Sequence, residues 1–356
     1  MPLIEHTHWH PVALANAVGA APLAVQLLGE ALVLWRDAAG AVMAWADRCP
    51  HRGARLSMGC VRAGQLECPY HGWRFASRGQ VVAVPALPGF VPPATHRATT
   101  FDAVERCGLV WVRLAGQGEE APPAFAAEAE PRLRKVNCGP CDVATSAPRI
   151  VENFLDMAHF GFVHEGWLGD RDHTALTDYR VDATATGFIA TQCRAWQPKS
   201  SVHAEGGADV EYTYEVNAPC TAVLTKMPMS TPETPAASLP RGGAGRLGSG
   251  PAAAATSVAL ADFGESIALF ICPLTPETSR VWFRLAMTDF ESPDATLQAF
   301  QHTIFTQDQP VLESQTPRRL PITPDAPVQE LHSAADRSAT AYRRHLRALG
   351  ITYGTC

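Results

Sequence analysis

Two short motifs constrain this chain more than any other part of it. They are Cys49-Pro50-His51 and Cys68-Pro69-Tyr70-His71, and sixteen residues separate them. Each motif sets a thiol and an imidazole at a short spacing. Each also carries a proline directly after the cysteine, which suits a stiff loop tip because proline fixes φ and removes a backbone donor. The fold must therefore present two loop tips that carry four metal-binding side chains.

The order of the donors indicates which metal group they hold. A Rieske [2Fe–2S] cluster is bound by two Cys on one iron and two His on the other. Zinc sites with two Cys and two His usually pair Cys with Cys and His with His along the chain. Each motif here contains one residue of each kind, so the sequence predicts a Rieske cluster held by Cys49, His51, Cys68 and His71. A zinc-binding structural protein is the alternative.

Composition excludes several classes of function. The chain has 356 residues, enough for one large or two ordinary domains, and 46% of them are hydrophobic. A net charge of −6 with no long basic block predicts neither a nucleic-acid nor a membrane partner. No Lys or Arg precedes Arg36, and polar residues interrupt the apolar stretch 13–35, so we expect no export signal and no membrane span. Ten cysteines then indicate reduced thiols and a cytoplasmic protein.

The first part of the chain has the pattern of short strands and turns. Residues 24–28 and 31–35 flank Gly29-Glu30, which predicts a hairpin, and 42–45 and 108–113 predict further strands. The stretch 116–131, rich in Ala, Glu and Pro, has the composition of a linker. We therefore expect two domains, 1–116 and 117–356.

The second part mixes strands with a few helices. Residues 266–272 and 279–287 predict two strands joined by a turn-rich loop, and 238–256, rich in Gly, Ala and Pro, predicts a surface loop. Near the end, Tyr342, Leu346 and Leu349 fall at helical spacing, with Gly350 as the C-terminal cap.

A second metal site is indicated by Asn153, Asp156 and His159, which are spaced i, i+3, i+6 and would share one helical face. His164 follows five residues later, so we expect the helix to be distorted or to end near Gly161, letting the two imidazoles meet. Two His and one carboxylate form the facial triad of mononuclear non-haem Fe(II), which leaves positions open for O₂. The alternative is a buried helix with incidental histidines.

On these motifs the chain resembles the catalytic α-subunit of the Rieske non-haem iron oxygenases. The resemblance rests on the two Cys-His motifs and on Asn153-x-x-Asp156-x-x-His159-x4-His164, and it extends over most of the chain. It implies an α+β fold. An amino-terminal all-β Rieske [2Fe-2S] domain is followed by a catalytic domain with an antiparallel sheet flanked by helices, of the helix-grip or START-like kind.

The resemblance also implies roles for particular residues. In the family the third iron ligand is an Asp far downstream on a helix, which makes it Asp308, with Glu313 as the rival carboxylate. Asp156 would hydrogen-bond the iron-ligating His159 and the cluster-ligating His71 of the next subunit, which requires a head-to-tail homotrimer. Asp156 and Asn153 are the candidate catalytic residues.

The activity implied by the resemblance is O₂-dependent hydroxylation of a small aromatic or heterocyclic substrate. Electrons would come from an NAD(P)H-dependent ferredoxin reductase, or from a reductase plus a ferredoxin. The length of the chain and the local sequences around Asn153 and Asp308 look most similar to those of the O- and N-demethylating monooxygenases. Members such as the vanillate, dicamba and methylxanthine demethylases act on methyl, O-methyl or N-methyl carbons. Alternatives are a ring-dihydroxylating dioxygenase and, in another class, a Rieske electron-transfer protein without catalytic iron.

Substrate-contacting residues should come from the stretch between His164 and Phe290. Lys226 and Arg194 could pair with a carboxylate or sulfonate, although strand alternation could equally turn either one to solvent. The apolar candidates are Trp167, Leu168, Trp196, Leu224 and Phe270.

Overall fold

The amino-terminal part of the chain consists of two antiparallel sheets. The computed structural model describes residues 3–116, 118, 121–199, 206–228 and 265–356. The larger sheet has six strands in the order β1-β10-β9-β4-β3-β2. Its strands are β1 His10–Leu14, β2 Leu23–Leu27, β3 Glu30–Arg36, β4 Val42–Ala46, β9 Thr100–Arg106 and β10 Leu109–Arg113.

The smaller sheet carries the two Cys-His motifs at its loops. It has four strands in sequential order, β5 Cys60–Arg62, β6 Gln65–Glu67, β7 Arg74–Phe75 and β8 Val81–Ala83. The first motif lies between β4 and β5, and the second lies between β6 and β7. A buried core of Trp35, Trp45 and Phe75 supports both loops, with edge-on ring contacts at 5.0 and 6.1 Å between centroids.

The second part is built on one seven-stranded antiparallel sheet in the order β11-β17-β16-β15-β14-β13-β12. Its strands are β11 Arg134–Val143, β12 Arg180–Ala183, β13 Phe188–Gln197, β14 Ala208–Ala218, β15 Thr221–Pro228, β16 Glu265–Thr275 and β17 Thr278–Met287. One face packs against the amino-terminal sheet, where Trp111 meets Phe270 edge-on at 5.0 Å. The other face is covered by helices, and a cavity lies between these helices and the sheet.

Within the described residues, the α-helices beside this sheet are α1 Ala147–Phe154, α2 Phe160–Val163, α3 Asp294–Ser314 and α4 Arg337–Leu349. Ser146 caps the start of α1 through its side chain, and Gly350 ends α4 in the left-handed conformation with φ 73°. None of the helices in the described ranges is long and apolar enough to cross a membrane.

An ion-pair network fixes α1 against α4. Arg343 on α4 donates to Glu152 on α1 at 2.6 Å, and Arg149 on α1 donates to Glu330 at 2.6 Å. Arg343 also reaches Glu330 at 2.5 Å, so the four side chains form one connected group. Because both arginines are buried, removal of one carboxylate would leave two positive charges with a single negative partner, so the intact network stabilises the position of α1.

The predicted fold class is confirmed, and several boundaries differ from expectation. The first hairpin turns at Leu28 and Gly29 instead of Gly29 and Glu30, because Leu28 itself takes a positive φ of 51°. The β16–β17 hairpin is tighter than expected and turns at residues 276–277. The predicted loop 238–256 lies outside the described residues. The domain boundary near 116 stays a prediction.

The expected single helix through Asn153, Asp156 and His159 is wrong. Helix α1 ends at Phe154, and a new short helix begins at Phe160. Asp156 and His159 lie in the link between them, so their spacing reflects a turn and not one helical face. Helix α1 therefore ends at Phe154 and not near Gly161.

Candidate metal centres and substrate cavity

The two Cys-His loops repeat one local geometry. In each, the Cys N–H donates to the carbonyl five residues onward, and the Cys carbonyl accepts from a glycine N–H four residues onward. The distances are 2.8 and 2.9 Å at Cys49 and 2.9 and 3.0 Å at Cys68. The glycines, Gly53 and Gly72, have φ of +73° and +68°, a conformation that glycine adopts without steric cost. The two loops therefore present their side chains in equivalent ways.

The side chains of these loops form a set suited to two irons. Burial, together with the adjacent Cys68 thiol, raises the pKa of the Cys49 thiol to about 11. Two neighbouring buried thiols can ionise together only beside a compensating cation, which is what a metal centre supplies. The His51 and His71 rings lie 4.7 Å apart, and His51 stacks on Trp73 at 4.4 Å. The donor set therefore fits a cluster with thiols on one iron and imidazoles on the other.

A second group of donors lies under the seven-stranded sheet. The Nε2 atom of His164 is 3.1 Å from Asp308 Oδ1, and the Nε2 atom of His159 is 3.4 Å from the same oxygen. One ligand atom from each of the three residues lies within 4.8 Å of the others. Asp308 is only 6% exposed. Two neutral nitrogens and one carboxylate converging in this way match a facial triad for a divalent iron.

The far side of each imidazole is held by a hydrogen-bond acceptor. His159 Nδ1 lies 3.0 Å from Asp156 Oδ2, and His164 Nδ1 lies 2.8 Å from Gln307 Oε1. An acceptor at Nδ1 keeps the proton there, so each Nε2 presents a lone pair to the metal position. Asn153 Nδ2 donates to Asp308 Oδ1 at 3.2 Å and orients the carboxylate.

The charge of Asp156 is stabilised in place. Burial raises the pKa of Asp156, but the hydrogen bond from His159 and the interaction with that ring outweigh it, and the pKa lies below its usual range. A second hydrogen bond, from the Ala158 N–H at 2.8 Å, contributes in the same direction. Asp156 is therefore an anionic acceptor with one oxygen fixed by a backbone group and the other by an imidazole.

Local sequence explains why the two histidines meet. After α1 ends, the short helix α2 separates them, with His159 and His164 as its capping residues. Their rings lie 5.0 Å apart. Gly161 within α2 approaches the Asp170 carbonyl so closely that an added Cβ would lie 2.5 Å from that oxygen. A glycine at this position thus lets α2 pack against the following loop and return His164 toward His159.

A cavity opens beside the triad between α3 and the sheet. The volume of this cavity is about 100 Å³. Most of its wall is apolar, but Lys226 and Glu265 also face it and pair at 3.5 Å. Further polar lining groups are Gln197, Tyr212, Tyr214 and Gln301. Such a wall accepts a small, mainly apolar molecule with a few polar atoms.

Some of the residues predicted to contact substrate line the cavity, and the others lie elsewhere in the fold. Leu168, Leu224 and Lys226 line the cavity. Arg194 does not, because it is exposed and pairs with Glu211 at 2.9 Å on the outer face. The three remaining candidates pack elsewhere: Phe270 on Trp111, Trp196 on His173, and Trp167 on Phe300.

The rival carboxylate Glu313 is not near the triad. It accepts from the Ala144 N–H at 3.0 Å and from Gln309 at 2.9 Å. The hydrogen bond from Gln309, with that from Ala144, lowers the pKa of Glu313. Glu313 thus fastens α3 to the chain that leads into α1.

Sequence reasoning missed Gln307 and Glu265. Gln307 directly precedes Asp308 on α3, and a position next to a ligand was the one signal that could have marked it as a partner of His164. Glu265 had no such signal, since its place opposite Lys226 depends on strand register.

Comparisons with known protein families match both parts of the chain. Residues 8–99 match the Rieske [2Fe-2S] domain, and residues 143–350 match the vanillate O-demethylase oxygenase C-terminal domain. The methylxanthine N1-demethylase NdmA of Pseudomonas putida is 31% identical over 350 residues, covering 96% of this chain and 88% of its own. The dicamba O-demethylase oxygenase component of Stenotrophomonas maltophilia is 37% identical over 161 residues, covering 44% and 46%.

Solved structures show the same similarity. Pseudomonas putida NdmA with caffeine superimposes with a TM-score of 0.76 at 28% identity, covering 97% of this chain and 90% of that one. Dicamba monooxygenase bound to dicamba gives 0.75 at 22% identity over 98% of both chains, which supports the fold alone. The oxidoreductase NdmD of Pseudomonas putida is 36% identical over 129 residues, covering 36% of this chain and 22% of its own.

The Gln307–His164 hydrogen bond leads to a prediction about metal affinity. Gln307→Leu removes the acceptor at Nδ1, so the Nε2 lone pair is no longer fixed, and we expect Fe(II) to bind the triad about tenfold more weakly. The measurement is the release of iron from the protein to a chromophoric chelator over a concentration series. Gln309→Leu is the matched control, because Gln309 lies on the same helix but bonds Asp142 and Glu313. Equal iron retention in both variants would contradict the role of Gln307.

Proposed function

We infer that this chain hydroxylates a methyl, O-methyl or N-methyl carbon of a small aromatic or heterocyclic substrate. The chain belongs to the Rieske non-haem iron oxygenases and has a vanillate O-demethylase-type catalytic domain. The observation that carries this proposal is the triad of His159, His164 and Asp308 at the wall of a mainly apolar cavity. A Rieske protein that only carries electrons would need neither of these features. When bound, the cluster supplies single electrons and the mononuclear iron uses them with O₂.

The proposed roles follow from the contacts. Cys49, His51, Cys68 and His71 hold the cluster, and His159, His164 and Asp308 hold the iron. Asn153, Asp156 and Gln307 are positioning residues, since each bonds a ligand side chain. The apolar cavity wall excludes water and places the methyl group beside the triad.

We propose that the enzyme is a head-to-tail homotrimer. His71 is exposed, and around the cluster loops lie apolar side chains with large exposed fractions, 72% for Met58, 62% for Tyr70 and 84% for Val91. An exposed apolar patch of this kind favours an interface. Asp156 is one third exposed at its side chain, and a carboxylate, which has about four lone-pair sites, can accept a further hydrogen bond beside those it has here. His71 of a neighbouring copy would supply a further donor, and a heterologous contact repeated in this way closes a ring.

Electrons reach a protein of this family from a reductase. The NAD(P)H dependence of that reductase, and the presence of a separate ferredoxin, are proposals here. Arg52 and Arg55 are exposed beside the cluster and suit an acidic electron carrier. The cytoplasmic location stays a prediction.

A substrate screen tests the proposed reaction. The panel contains methoxybenzoates, methylxanthines and methyl-substituted aromatic sulfonates, supplied with O₂ and a reductase. We expect formaldehyde from the O- and N-methyl compounds that fit, or an alcohol from a C-methyl compound, with O₂ consumed in step. Detection of a ring diol with no attack on any methyl group would contradict monooxygenation at a methyl carbon.

The position of Asp156 leads to a second prediction. We expect Asp156→Ala to keep the cluster absorbance and, at saturating Fe(II), the iron content, although the triad binds iron more weakly, as in Gln307→Leu. Product formation at that full iron content should still fall by about 10- to 100-fold, because the His159 ring and the contact to the neighbouring copy both lose their acceptor. Asp182→Ala is the control, since Asp182 is an exposed carboxylate on β12 that pairs with Arg180 at 3.3 Å, away from the triad. Undiminished turnover in Asp156→Ala would refute the assignment.

A further inference from the structure

A row of polar side chains crosses the cavity face of the seven-stranded sheet. Tyr212 on β14 pairs in register with Lys226 on β15, and Lys226 pairs with Glu265 on β16. Gln197 on β13 extends the row by donating through Nε2 to the Tyr212 hydroxyl. All four side chains line the cavity, although most of its wall is apolar. A polar row at one level of an apolar wall is a feature that recognises the polar part of a substrate.

The row carries one positive and one negative group. Among the lining residues that the structure describes, Lys226 and Glu265 are the charged pair outside the metal triad. Lys226 is 8% exposed, and its Nζ lies 3.5 Å from Glu265 Oε2. Arg194, a cation on β13, is on the outer face with Glu211. The cavity therefore offers a cation whose charge is already balanced.

This balance decides which substrates Lys226 can bind. An ammonium group has three N–H donors, so Lys226 can donate to a substrate carbonyl while it keeps its contact with Glu265. A substrate carboxylate at the same place would also lie close to Glu265, and like charges in a low-dielectric cavity repel strongly. A repulsive group of this kind discriminates between ligands even where the attractive contacts are the same.

The neighbouring amide supports a neutral ligand with polar atoms of its own. Gln197 is 1% exposed, and one end of its carboxamide is occupied by Tyr212 while the Oε1 atom has no hydrogen-bond partner. A buried polar atom without a partner costs free energy that a ligand can recover. An amide or lactam group has a hydrogen-bond donor beside an acceptor. It therefore fits this wall, which presents the Lys226 ammonium as a donor and the Gln197 Oε1 atom as an acceptor.

We propose that the Lys226–Glu265 pair selects uncharged aromatic or heteroaromatic substrates that carry a carbonyl or amide group, and that Glu265 excludes carboxylates and sulfonates. This selection rests on the proposed function, since it describes the substrate class of the same cavity. Lys226 is the donor, and Glu265 sets the charge preference.

A matched pair of ligands tests the proposal. Meta-methoxybenzamide and meta-methoxybenzoate have the same shape and differ in charge, and their dissociation constants are measured on the holoenzyme by titration calorimetry. We expect the wild-type protein to bind the amide about tenfold more tightly or better. Glu265→Gln keeps the shape but removes the negative charge, so the ratio should shift by about tenfold toward the benzoate, which then balances Lys226.

Two further variants keep the experiment decisive. Glu211→Gln is the control, because it removes a carboxylate from the outer face of the same sheet, and its ratio should equal that of wild type. Lys226→Met should weaken amide binding by about tenfold, which gives a second measure if Glu265→Gln does not fold. Tighter binding of the benzoate to wild type, or an unchanged ratio in Glu265→Gln, would overturn the proposal. Formaldehyde release from the amide is followed in parallel samples that are supplied with O₂ and a reductase: its absence with the binding ratio intact contradicts the proposed function and not the charge selection.

Discussion

The convergence of two imidazole nitrogens on one carboxylate oxygen is the constraint on which the catalytic half of this molecule depends. His159 and His164 come from a turn and a short helix, whereas Asp308 comes from a helix almost 150 residues further along the chain. Neither segment holds the arrangement alone. Half-buried acceptors orient both rings, and the ion pairs between α1 and α4 keep the turn in place. The hydrogen bonds and ion pairs of the protein therefore hold the three donors in one arrangement that suits a metal ion.

The seven-stranded sheet links this centre to the rest of the fold. Its outer face packs on the amino-terminal sheet through contacts such as Trp111 with Phe270, so the cluster domain is fixed to the catalytic domain by a shared apolar core. Its inner face forms the cavity. Because side chains alternate along each strand, the same strands provide core residues for one interface and polar groups for the other. Lys226 and Glu265 are cavity residues for this reason.

Much of the site could be predicted from the sequence, because its donors occur in short motifs. The two Cys-His motifs and the His159–His164 spacing name their residues without knowledge of the fold. Asp308 followed from a family resemblance, and the structure brings it to the two histidines.

The rest depended on features that spacing does not encode. The end of α1 at Phe154 was missed because i, i+3, i+6 spacing is compatible with a helix and with a turn followed by a new helix. The orientation of Arg194 could not be derived because β13 contains a bulge between Ala190 and Cys193, with Gln192 at φ 60°, and a bulge alters the alternation of faces. The Lys226–Glu265 pair required the register of two strands.

The measurement that tests this account most directly is the iron content of Asp308→Ala beside Glu313→Ala. Both variants remove one carboxylate from α3, but only Asp308 faces the two histidines. We expect Asp308→Ala to lose one iron per chain and to keep the visible absorbance of the cluster, whereas Glu313→Ala should keep the full iron content and the absorbance. An Asp308→Ala protein with the full iron content of wild type would contradict this account.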